Sequence, residues 1–205
     1  MIMRSLRKIF VVIMLLCSSA AMADSPLTST YYSNVYKSEK VVKKAIKADG
    51  KITRALMKYL ADKDNPVDVK IAAVNALQWH TDNYPAFMCY LKDKYNALSE
   101  KNLIEQLDAS TLISLAYIKA MGDYKDVEDA VTIAEYARLK MRNSFTVNMI
   151  YALIVAQGYM NDDFCFVFKT CNSVLKNKNL IRDMRPKAVE QIMEYINSYS
   201  RYCNK

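Results

Sequence analysis

Turn-forming residues are scarce in this 205-residue chain, which holds three glycines and four prolines, against average usage of roughly 7% and 5%. Tight hairpins depend on such residues, so their scarcity argues against an all-β fold. Gly50, Gly122 and Gly158 stand too far apart to build a phosphate-cradling loop, which excludes the nucleotide chemistry those loops serve. A single histidine, His80, excludes any site made of two or more imidazoles. Past residue 23 no apolar run approaches the roughly 20 residues that a membrane-crossing helix needs. What is plentiful is apolar and tyrosine content: 52% of residues are hydrophobic and fifteen are tyrosine. Lysine and arginine number 29 against 21 carboxylates, a formal net charge of +8.

Residues 1–23 read as a secretory leader. Arg4, Arg7 and Lys8 form its positive end, Ile9 to Leu16 its apolar core, and Ala21-Met22-Ala23 the small-residue site for cleavage before Asp24. The rival reading, a membrane anchor, fails on length. Leu16 occupies the place where a lipoprotein signal wants a small residue, so Cys17 is not expected to carry lipid. The expected product is a periplasmic or secreted chain of one domain, residues 24–205, with no transmembrane segment.

Export leaves Cys89, Cys165, Cys171 and Cys203, which admit three complete pairings in an oxidising compartment. Cys165 and Cys171 are separated by about 9 Å of helical rise and should not bridge. If the last two helices pack antiparallel about a turn near residue 180, Cys203 falls opposite residues near 158 and Cys165 opposite residues near 197. Most of these cysteines are therefore expected to be small buried hydrophobes.

Apolar residues recur with helical period along the rest of the chain. The spans expected are 37–47, 52–60, a helix following Pro66 to Leu77, 85–95, one starting after Asp108, 127–141, 146–157, 163–175 and 186–202. Short polar joints separate them, and no linker or low-complexity tract divides the chain. The segment Ala116-Tyr-Ile-Lys-Ala-Met-Gly122 lies 36 residues before Ala152-Leu-Ile-Val-Ala-Gln-Gly158, with four of seven positions identical. This resembles the first helix of a tetratricopeptide repeat, with second helices at 127–141 and 163–175. Leu60-Ala-Asp62 through Val69-Lys70, Ala73, Ala76 and Leu77 resembles the loop and second helix of a HEAT repeat. Both resemblances imply an all-α fold of antiparallel helix pairs stacked as a short solenoid, and a protein- or peptide-binding role. An irregular helical bundle is the alternative.

Chemistry is poorly represented. His80 follows Trp79 at a helix end, where an imidazole commonly meets the last carbonyls. Pairing it with Cys89 as base and nucleophile, or a pair of carboxylates brought together by the fold, would make an unrecognised hydrolase. No spacing suits a metal site, and no cofactor is expected. Charge is more informative: residues 37–70 are basic, 71–168 acidic and 169–205 basic. Lys40, Lys43, Lys44 and Lys47 share one helical stripe, suited to an acidic protein or an anionic envelope surface or polymer. Nucleic acid does not fit an exported chain of modest charge. Tyr195, Tyr199 and Tyr202 line the last helix as packing residues, and Tyr31, Tyr32 and Tyr36 are expected to cap the opposite end.

Overall fold

The computed structural model describes residues 25–204; the expected leader, residues 1–23, lies outside the described residues. The fold is all-α. Ten α-helices follow in chain order: α1 (Lys40–Ile46), α2 (Arg54–Leu60), α3 (Val67–Leu77), α4 (Asn83–Tyr95), α5 (Glu100–Gln106), α6 (Ala109–Gly122), α7 (Glu128–Lys140), α8 (Phe145–Gly158), α9 (Phe164–Lys176) and α10 (Pro186–Asn197). Short 3₁₀ turns stand at Ser33–Tyr36 and Ser200–Asn204. The starts are set by side-chain caps. Thr53, Ser99, Asp108, Ser144 and Asp163 each accept a hydrogen bond from a first-turn amide, satisfying donors that have no partner inside the helix.

Helices α3, α6 and α8 form an inner row. In α6 every residue but Lys119 is buried, and α8 is nearly as enclosed, which matches their lack of a polar stripe. Two contacts give the direction of α3 against α6: the Lys70 ammonium donates to Ser110 Oγ at 2.6 Å and Asn75 Nδ2 to Tyr117 OH at 3.0 Å, so the two run parallel. By contrast, α6 and α7 are antiparallel. Lys119 meets Asp129 at one end, while Lys140 donates to the Leu107 carbonyl at the other. The α8–α9 pair repeats this arrangement, with Tyr159 on Phe166 at 4.3 Å and Arg182 joining the Leu175 carbonyl to the Phe145 ring. Two antiparallel pairs with parallel inner helices are what the repeat resemblance implied for residues 110–176.

The inner row is not left open. Residues 25–36 lie against it, with Leu27, Tyr32 and Tyr36 fully buried. Ser25 Oγ donates to Gln157 on α8, and Asn75 on α3 both donates to the Thr30 carbonyl (2.9 Å) and accepts from Ser33 N (3.0 Å). Tyr32 and Tyr36 therefore belong to the core and do not cap one end. Arg185 fastens this segment to the start of α10 by donating to the Val35 carbonyl and to Glu39, with its guanidinium 4.3 Å from the Tyr36 ring.

Three expectations need correction. Helix α10 stops at Asn197, not Tyr202; the chain bends through Ser198–Tyr199, where Tyr199 stacks on Phe164. That bend returns the terminal 3₁₀ turn to the start of α9 and joins Cys203 to Cys165 in a disulfide. A straight antiparallel helix would have carried the two apart. Cys171 is buried as expected, but Cys89 is exposed.

Candidate functional site

The only tryptophan of the chain stands at the end of α3, and it is 55% exposed. Two clefts flank it. One, of about 500 Å³, is lined by Trp79, Thr81, Tyr84, Pro85 and Tyr124 together with Lys119 and Lys125. The other, of about 330 Å³, is lined by Tyr31, Ile46, Asp49, Gly50, Trp79 and His80. The indole is thus a ridge between two hollows, an uncommon position for the largest apolar side chain.

Local backbone chemistry puts it there. Gln78 adopts φ 56°, ψ −153°, a region that is essentially glycine-only and costs on the order of 1–3 kcal/mol for other residues. The opposing wall turns through two left-handed residues, Asp49 and Gly50. A Cβ added at Gly50 would have room, 3.5 Å from His80 and from the Leu77 carbonyl, so conformation is what calls for glycine there. Asn83, buried at the start of α4, clamps this wall: its amide donates to the Gly50 carbonyl at 2.7 Å and accepts from Ile52 N at 2.8 Å. On the other side, Tyr84 donates to Glu100 at 2.7 Å under the Lys119 ammonium, 4.3 Å from the ring, and Lys119 is paired with Asp129 at 3.2 Å. Burial, reinforced by Glu100, pushes the Tyr84 hydroxyl well above its ordinary pKa, so it stays a neutral donor. The clefts are therefore braced by hydrogen bonds and lined largely by aromatic rings.

His80 and Cys89 are not brought together. Nδ1 of His80 accepts the Asp82 amide at 3.3 Å beside Gly50, whereas Cys89 lines a separate cleft with Arg54, Met57 and Tyr90. The expected base and nucleophile thus stand in different clefts and form no pair. A serine–amine contact, Lys70 with Ser110, is closed to substrate: both residues are buried, and Ser110 already donates to Asp108 at 2.6 Å. Among the described residues no three His, Cys, Asp or Glu side chains are placed to hold a metal ion, and no helix is long and apolar enough to cross a membrane.

The lysine stripe sits where its period placed it. Lys40, Lys43 and Lys44 on α1 and Lys47 at its C-cap are all exposed, while Val42 and Ala45 are buried and the helix packs on α3. The Trp79 ridge was not legible as a site. Its one sequence signal is a tryptophan placed directly after the apolar period of α3 has ended at Leu77. No protein-family model matches this chain, and no curated protein or solved structure matches it.

Proposed function

We propose that this is an exported binding module that takes an extended segment of another protein in the cleft beside Trp79, without catalysis. The observation that carries the reading is the exposed indole held up by a strained Gln78 backbone. Strain of this kind persists only where surrounding structure over-determines it, and it concentrates at ligand-contacting positions. The walls suit flat apolar groups: Trp79, Tyr84 and Tyr124 supply aromatic faces with little rotamer entropy to lose, and Pro85 extends the same surface. A partner segment in extended form, carrying proline or aromatic side chains, matches that chemistry. The groove usual for stacked helix pairs is not the surface used, because residues 25–36 fill it. Export to a periplasm or cell exterior is supported by the Cys165–Cys203 disulfide, a bond that persists in oxidising compartments.

Selection of displayed peptides against the wild-type protein and against Trp79→Ala tests this reading. Peptides rich in proline or aromatic residues should be enriched on the first, and binding should fall at least tenfold on the second, as for a central anchor of a small interface. Peptides that bind both proteins equally would remove the cleft from the function.

A further inference from the structure

We propose that the outward face of α1 docks the protein on an anionic lipid surface, its lysines meeting phosphate headgroups while Ile46 and Trp79 enter the interface. The charge is one-sided. From Lys37 to Lys58 eight lysine and arginine side chains are exposed, against two carboxylates, Glu39 and Asp49. Glu39 is already held by Arg185. Among the described residues no carboxylate pairs with Lys40, Lys43, Lys44 or Lys47. The four span about 10 Å along the helix, within one Debye length at ordinary salt, so they act on a charged surface together.

The second observation is apolar. Ile46, one residue from Lys47 and three from Lys43, is exposed, and it lines one cleft with Tyr31 and Trp79. An aliphatic side chain with a tryptophan and a tyrosine is the combination that settles at headgroup depth in a bilayer. Four lysines alone would suit any polyanion. Lysines bordered by exposed Ile46 and Trp79 fit a surface that is anionic outside and apolar a few ångströms in. This inference shares Trp79 with the peptide reading but takes its charge from the lysines of α1 and needs neither Tyr84 nor Tyr124, so loss of the lysines tests it separately.

Co-sedimentation of the full chain, as processed on export, with vesicles of phosphatidylglycerol and phosphatidylcholine provides the test. Binding is expected with the anionic vesicles and not with pure phosphatidylcholine, weakening steeply from about 0.1 M to 0.5 M salt. Emission from the sole tryptophan should shift to the blue on binding. Each lysine contributes about fivefold, so replacing all four with Gln should weaken binding several-hundred-fold at unchanged thermal melting, and Ile46→Ser about fivefold. Should the quadruple variant fail to fold, Lys43→Gln with Lys44→Gln should still cost roughly 25-fold. Equal binding to neutral vesicles would overturn the proposal. So would binding that survives loss of the lysines, or capture by soluble polyglutamate with no vesicle binding.

Discussion

Lys70 carries the most unusual charge in the molecule. Its side chain is buried in the inner row, and desolvation lowers its pKa from 10.5 to about 8, with the Asp108 carboxylate opposing that shift. A folded value below the unfolded one means that the unfolded chain binds more protons between those limits, so stability from this group rises with pH across about 8 to 10.5. Replacing Lys70 with Met should raise stability at pH 7 by about 2 kcal/mol, because Ser110 and Asp108 keep their own hydrogen bonds. Urea denaturation of both proteins from pH 7 to 10.5 should show that advantage shrinking as pH climbs. Gln78 offers the complementary case. Gln78→Gly relieves the backbone and should stabilise the fold by about 1 kcal/mol, while loosening Trp79 and weakening any ligand held there. Parallel melting and peptide-binding measurements check that opposition.

At the scale of elements, what the sequence revealed depended on how many apolar residues set each helix's period. α6, α8 and α9 carry enough periodic residues to be placed within one or two positions, and Asp108 and Asp163 announce their starts. α5 has only Leu103 fully buried, too little to establish a period. The end of α10 was missed because Ser198-Tyr199-Ser200 contains no glycine or proline to signal the bend. The Cys165–Cys203 disulfide was missed with it, since that bond exists only once the chain has folded back. It closes a 38-residue span, worth about 4 kcal/mol in the chain-entropy account. Cys165→Ser with Cys203→Ser should lower stability by that order, and reductant should destabilise the wild type but not the variant. A thermal melt with and without reductant reads both effects.

Across the whole molecule, stacked helix pairs were readable because the 116–122 and 152–158 segments repeat, and the antiparallel pairs α6–α7 and α8–α9 follow from them. What occupies the inner row was not. The segment 25–36 has no helical period, and its place is fixed by contacts to Asn75, Gln157 and Arg185, 42 or more residues away. The lysine stripe showed itself for the same reason the helices did, because its residues follow one local period. The Trp79 clefts draw walls from the Asp49–Gly50 turn, the end of α3, the start of α4 and the end of α6, so no local stretch announces them. Asn83 joins two of those walls. Asn83→Ala should cost about 1–3 kcal/mol by leaving Ile52 N and the Gly50 carbonyl without that partner, and a denaturant midpoint measures it.

The proposal that the Trp79 cleft is a binding site is tested most directly by a photo-crosslinking side chain introduced at Tyr124 and, as a control, at the exposed Leu139 of α7, in the protein's native cell. The expected result is a discrete protein adduct at position 124 that is absent at 139 and disappears with Trp79→Ala. Adducts of equal yield at both positions, or an adduct at 124 indifferent to Trp79→Ala, would contradict it.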